Sequence, residues 1–270
     1  NLVEVGTTNR THLKDYKDSI SKNTGLILVA HTSNYIVKGF TKSVKIEDLV
    51  QLAKSKRIPL MIDLGSGAIA DLKKMNLPPE PIVQYYIRAG VDVIAFSGDK
   101  LMGGPQSGII CGKSKIIKKI RNNALYRALR CDKIIYTILE ETLRTYYTPT
   151  NIKKDNLTWE LFLRPISELE NLGGKVLNEL PQFVKDISGI KLEKSKVEAG
   201  SGSLPVKSIE SRALIFESKN LKAKEIYEKF LKQTPSILGF IHNKKFRIDL
   251  KAILESQIPN IQKAIKEIFS

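Results

Sequence analysis

The sequence predicts an α/β protein: a mostly parallel sheet with helices on both faces over residues 1–150, followed by a smaller α+β domain over 151–270. Three observations carry this reading. Short apolar runs alternate with helix-period stripes through the first half, the rhythm of βαβ units. Polar, glycine-containing segments follow three successive strand candidates, which is where open α/β sheets bind ligands. The rhythm then breaks between Tyr147 and Asn156, where aromatic and polar residues around Pro149 interrupt the helical pattern, and shorter strands follow.

Taken in order, Leu2-Val3-Glu4-Val5 reads as a strand already under way. Together with Asn1 in place of an initiator methionine, this leads us to expect a fragment lacking an N-terminal portion. Leu26–Ala30 is a candidate buried strand ending at His31-Thr32-Ser33-Asn34. Lys45–Arg57 places Ile46, Leu49, Val50 and Ala53 at helical spacing. The strand Leu60-Met61-Ile62 ends at Asp63-Leu64-Gly65-Ser66-Gly67. After Pro78, Pro79 and Pro81, a helix over Val83–Ala89 leads to the strand Val91–Phe96, which runs into Ser97-Gly98-Asp99-Lys100. Ile109-Ile110-Cys111 reads as one more strand entering a basic helix over Ser114–Arg121. Beyond the divide, helices are expected near Trp159–Leu172, Lys175–Leu180, Asn220–Leu231 and Ile258–Ile268, with strands at Arg212–Phe216 and Phe246–Leu250.

At 270 residues and 42% hydrophobic, the chain can bury a sizeable core, so disorder is not the default. Lys and Arg outnumber Asp and Glu by 44 to 28, a formal charge of +16. Such a surface attracts polyanions, nucleic acid foremost, although lysine-rich composition alone gives the same imbalance. The two cysteines, Cys111 and Cys131, have neither zinc-site nor disulfide-framework spacing, which fits a reducing cytoplasm. No apolar run approaches the roughly 20 residues that span a bilayer.

A lone lysine after a strand is more often a surface residue than a reactive one. Lys100 differs in its company: Gly98, Gly103 and Gly104 let backbone approach an anionic group, and exposed amides in such a turn form an anion-binding concavity. A desolvated lysine near other cations becomes a nucleophile towards aldehydes, so Lys100 suits a Schiff base with pyridoxal phosphate. That cofactor also needs a carboxylate at its pyridine nitrogen. Asp63, one βα unit upstream, is placed for it, with a helix cap or turn as the plainer alternative. Ser66 and Ser97 suit hydrogen bonds to phosphate or ring, though serine in such turns is often turn chemistry alone.

Five segments then carry a resemblance. Glu4-Val5-Gly6-Thr7-Thr8-Asn9-Arg10-Thr11-His12, His31-Thr32-Ser33-Asn34-Tyr35, Asp63-Leu64-Gly65-Ser66-Gly67, Ser97-Gly98-Asp99-Lys100-Leu101-Met102-Gly103-Gly104-Pro105-Gln106 and Arg127-Ala128-Leu129-Arg130-Cys131-Asp132-Lys133 resemble, in order, the blocks of bacterial selenocysteine synthase, the L-seryl-tRNA(Sec) selenium transferase family. The similarity covers nearly the whole chain. It is strongest from Glu4 to Arg144, with an echo at Gly200–Pro205. It implies the aspartate-aminotransferase-like fold (fold type I) of pyridoxal-phosphate transferases, with the large domain lacking its N-terminal part.

The resemblance also implies residue roles. Lys100 matches the lysine that carries the cofactor, and Asp99 the aspartate beside it in the active site. Arg127 and Arg130 match two arginines that hold the oxyanion of selenophosphate. Two guanidinium forks three residues apart on a helix would project from one side and share a tetrahedral anion. Asn34 and His31 fall where the fold class places contacts to the cofactor ring.

The implied reaction is β-elimination of the serine hydroxyl from seryl-tRNA(Sec), then addition of selenium from selenophosphate, with Lys100 as base at Cα. The implied partners are seryl-tRNA(Sec), selenophosphate and further copies of the chain in a homo-oligomer built from dimers, a homodecamer. Neither membrane nor DNA is implied. Two departures stand out: Phe240 and Lys251 occupy places where the family usually carries arginine. Two other readings compete: a lyase of the same class acting on a small amino acid or amino sugar acid without tRNA, and an inactive scaffold. Arg127 and Arg130 argue against the first, and Lys100 with Asp63 against the second.

Overall fold

A computed structural model describes residues 1–6, 9–31, 37, 39–148, 152–199 and 208–270. The chain forms two compact units. The first is Asn1–Trp159 with the segment that begins at Glu198; the second is Glu160–Val197 with Ser208–Ser270.

In the first unit, helix α1 (Leu13–Ser19) precedes strand β1 (Ile27–Ala30). Helix α2 (Ile46–Lys56) buries Ile46, Leu49, Val50, Leu52 and Ala53, and it stops at Arg57, whose left-handed backbone returns its N–H to the carbonyls of Ala53 and Lys54. Strand β2 (Leu60–Gly65) follows, then helix α3 (Val83–Ala89), closed by Gly90 at φ 96°. Strand β3 (Val93–Ser97) pairs parallel with β2, and β2 with β1, so that Ala30, Asp63 and Ala95 lie side by side across the sheet.

Strand β4 (Gly108–Gly112) runs antiparallel to β3, with Ser97 opposite Gly108. Only residues 98–107 join the two, too few for the crossover that a parallel strand needs. Leu60, Ile62, Leu64, Ile94 and Met102, each at most 1% exposed, form the centre of this core.

Two strand expectations need correction. Leu2–Val5 is not a strand: no ladder forms there, and Leu2 and Val3 are 79% and 66% exposed. Strand β1 is buried on one face only, with Leu28 46% exposed beside buried Ile27, the alternation of a strand whose second face is uncovered.

Helices α4 (Ser114–Arg121), α5 (Ala124–Leu129) and α6 (Lys133–Arg144) come next, and none has a buried residue. Asp132 caps α6 by accepting from the Ile135 N–H at 2.9 Å. The short helices α7 (Ile152–Asp155) and α8 (Leu157–Phe162) lead out of the first unit. The single helix expected over Trp159–Leu172 is broken at Pro165, which stands at the N-terminus of α9 (Ile166–Asn178).

The second unit continues with α10 (Gln182–Ser188), β5 (Lys191–Val197), β6 (Ile209–Phe216), α11 (Ala223–Leu231), β7 (Phe240–His242), β8 (Lys245–Asp249) and α12 (Ile258–Phe269). Its sheet is antiparallel in the order β5-β6-β8-β7. Phe216, Phe230, Phe246 and Phe269 gather at its core, with ring centroids 5.0 Å apart for Phe230 and Phe246.

Lys251 has a structural place here: it is buried, and its Nζ donates to the Arg164 carbonyl at 2.9 Å. Phe240 is the first residue of the edge strand β7. No described helix is long and apolar enough to cross a membrane.

Candidate active site

The three parallel strands finish at one edge and deliver His31, Asp63 and Ser97 there. His31 follows β1 directly, and its N–H donates to the Asp63 carbonyl at 2.8 Å. The Asp63 carboxylate is exposed on the side of β2 opposite buried Ile62 and Leu64, and it accepts from the Gly65 N–H at 3.2 Å. Thus Asp63 is a strand residue whose side chain also forms a local turn bond. Ser97 ends β3, half-buried.

Beyond these strands two loops are laced together. The Leu101 N–H donates to the Ser66 carbonyl at 3.2 Å, so the turn holding Lys100 is tied to the segment that follows Asp63. Gly67, at φ +71°, passes so close to β3 that a Cβ would stand 2.1 Å from the Ser97 carbonyl oxygen. The Gly98 N–H donates to Ser107 O at 2.9 Å, Gly104 N–H to Gly98 O at 2.8 Å, and Gly103 N–H to Lys100 O at 2.9 Å. Lys100 itself is half-buried within this closed turn, and neighbouring Asp99 is exposed. Lys100 therefore rises from a turn that is tied to the segment following β2, the strand that carries Asp63, and no ion pair joins the two side chains.

Ser66 is the most enclosed polar group of the set: it is 0% exposed, and its Oγ has no hydrogen-bond partner. A buried hydroxyl left without a partner is costly, so it marks a place where a ligand atom or a water completes the bonding. His31 points Nδ1 towards Glu80 Oε1 at 3.9 Å, and the Glu80 side chain is only 3% exposed.

Arg127 and Arg130 are neighbours on one exposed segment, but not as two positions of a continuous helix. Helix α5 ends at Leu129, and Arg130 has extended backbone at φ −67°, ψ 143°. The expectation of two helical forks on one face is corrected accordingly: six residues make under two turns, and the chain leaves helical geometry at the second arginine. Among the described residues, no hydrogen bond or ion pair ties either guanidinium to the Lys100 turn. Asn34 lies outside the described residues, as does Gly200–Pro205.

A support behind the lysine turn was not foreseen from sequence. The Tyr146 hydroxyl donates to Met102 O at 2.8 Å and accepts from Trp159 Nε1 at 2.7 Å, while Asn156 Nδ2 donates to the same Met102 carbonyl at 3.2 Å. These partners lie 44 and 54 residues from Met102 in sequence. The one local sign of such a close approach is Gly103, where a Cβ would come within 2.6 Å of Asn156 Oδ1. Glu80 gave no sign either, since an acid among prolines reads as loop.

Comparison with known proteins places this arrangement. The family model described as L-seryl-tRNA selenium transferase matches residues 1–254. The chain is 42% identical to the L-seryl-tRNA(Sec) selenium transferase of Mannheimia succiniciproducens over 93% of its own length and 54% of the relative's. It is 40% identical to that of Carboxydothermus hydrogenoformans over 98% of the chain and 57% of the relative. The chain thus spans about half the length of the curated relatives it matches. Among solved structures, a D-glucosaminate-6-phosphate ammonia-lyase aligns with a TM-score of 0.65 at 20% identity, over 99% of this chain and 63% of the other, a likeness of fold.

Proposed function

The chain belongs to the L-seryl-tRNA selenium transferase family, and on that premise we propose that it forms part of an enzyme converting seryl-tRNA(Sec) to selenocysteyl-tRNA(Sec), with Lys100 as the attachment point for pyridoxal phosphate. The observation that supports this most is the bond from Leu101 N–H to Ser66 O. It ties the turn that carries the amine to the segment directly after β2, the strand that carries the Asp63 carboxylate, near the carboxyl ends of neighbouring parallel strands.

The residues present fit the cofactor. Ser66 Oγ is buried with bonding capacity to spare, and the Asp63 carboxylate is open to a ligand. Lys100, Asp63, Ser66 and Ser97 would hold it, together with Asn34 from the resemblance. When bound, pyridoxal phosphate supplies an aldehyde that condenses with amines and a ring that draws electrons from the substrate's Cα.

The chain's own residues supply the rest. Lys100 would hold the group through Nζ and, as the nearest base, would take the proton from the seryl Cα. The Asp63 carboxylate would hold the ring and favour its protonated nitrogen, and Asp99 adjoins the lysine in the chain. Arg127 and Arg130, exposed and without ion pairs among the described residues, are available for the oxyanion of selenophosphate.

The net charge of +16 suits a tRNA backbone as partner. Assembly with further copies, up to the decamer built from dimers, is supported by apolar surface on α5 and α6: Leu125, Leu129 and Ile134 are 68%, 79% and 70% exposed. A cytoplasmic location agrees with the two free cysteines.

The test is chemical. Incubation with pyridoxal phosphate followed by borohydride should fix the cofactor on the peptide containing Lys100, and Lys100→Ala should abolish the adduct. An adduct at another lysine refutes the assignment. In the full-length protein, selenium transfer should require seryl-tRNA and not free serine. There Arg127→Ala or Arg130→Ala should slow transfer by about 10²-fold, as loss of a charge-assisted anion contact does, while the adduct at Lys100 still forms.

A further inference from the structure

We propose that Tyr146 is a positioning residue for Lys100, acting through the Met102 carbonyl to fix the turn on which the lysine is mounted. The inference rests on the reading of Lys100 given above. The turn is closed on its near side by three backbone bonds: Leu101 N–H to Ser66 O, Gly103 N–H to Lys100 O and Gly104 N–H to Gly98 O. On its far side, the Met102 carbonyl receives the Tyr146 hydroxyl at 2.8 Å and Asn156 Nδ2 at 3.2 Å, and the hydroxyl reaches Leu101 O at 3.5 Å as well.

A phenol that donates to a carbonyl needs its oxygen oriented, and Trp159 Nε1 does this by donating to it at 2.7 Å. Trp159 is 0% exposed, so the indole is a fixed point. Gly103 completes the fit, because its positive φ and missing Cβ let Asn156 and Thr158 lie directly against the turn. Burial pushes the Tyr146 phenol up to about 12, so the donor proton is kept throughout the range in which a lysine base works.

This arrangement answers a particular need. A lysine has a long flexible stem, and where Nζ can reach depends on how firmly the backbone beneath it is held. Two side-chain donors on one carbonyl, two residues beyond Lys100, hold that backbone.

The experiment uses the chain with and without pyridoxal phosphate. In the cofactor-free chain, Tyr146→Phe should speed amide hydrogen exchange at Leu101–Gly104 by about tenfold, the effect of losing one net hydrogen bond, with β2, β3 and the second unit unchanged. In the same variant, borohydride-trapped cofactor should appear on Lys100 several-fold more slowly. Trp159→Phe should also accelerate exchange at the turn, and the double variant should show less than the sum of the two effects, because the indole N–H bonds the phenol oxygen.

Unchanged exchange at the turn in Tyr146→Phe overturns the inference alone. So does exchange that rises equally in β2 and β3, since that is general destabilisation. Failure of the unsubstituted chain to trap cofactor on Lys100 overturns this inference and the proposed function together.

Discussion

Gly67 has no room for a side chain: φ is +71°, and an added Cβ would fall 2.1 Å from a backbone oxygen of β3. Gly67→Ala should therefore cost about 3 kcal/mol or more, read from chemical denaturation, because left-handed strain and a clash with immovable backbone add together. Two tyrosines set the behaviour at high pH. Burial pushes Tyr86 and Tyr146 up to about 12 from an ordinary 10. The stability they lend is complete below the unfolded value and is lost as pH climbs from about 10 through about 12, where the unfolded chain sheds protons first. Alkaline melting curves should show stability falling across that window, and Tyr146→Phe should flatten part of the fall. At this scale the sequence revealed what sits next to strand ends. Asp63 and the Lys100 turn were legible because polar residues after buried runs are placed by the strands themselves. Tyr146 and Asn156 were not, since their bonds to the turn join residues 44 and 54 positions apart, and neither was Trp159, which reaches the turn through the Tyr146 hydroxyl. Arg127 and Arg130 were misplaced relative to each other for a local reason: spacing alone does not say where a six-residue helix ends.

Elements with a buried stripe were the readable ones. The stripes of α2 and α12 and the run in β2 correspond to residues that are in fact covered. Helix α6 escaped notice because most of its apolar residues stay uncovered, Ile134 and Tyr136 being 70% and 45% exposed, and Leu139 alone packs against the core among those described. The direction of β4 follows from connection length, a matter of geometry that composition does not record. The break before α9 has a clear anchor in Arg164, whose side chain is 3% exposed. It pairs with Glu168 at 2.9 Å and Glu160 at 3.2 Å and donates to the Ile253 carbonyl at 2.6 Å. Arg164→Ala should destabilise the second unit by about 2–4 kcal/mol, seen in its amide exchange, because carbonyls lose their donor as well as carboxylates their partner.

For the molecule as a whole, two separate cores and a strongly basic surface follow from composition and patterning, whereas the uncovered apolar surface of α5 and α6 does not. A hydrophobic stripe looks the same in sequence whether its own chain or another covers it. Sedimentation should show the chain associating, and Leu129→Asp or Ile134→Asp should shift it to smaller species while far-ultraviolet dichroism is kept. Tyr146 stands two residues past the end of α6, with its N–H on the Leu143 carbonyl and its hydroxyl on Met102. The residue that braces the Lys100 turn is therefore also bonded into the end of that helix. A neighbouring molecule that covers α6 should then slow amide exchange at Leu101–Gly104 as well, and a ligand at the turn should by reciprocity favour that contact.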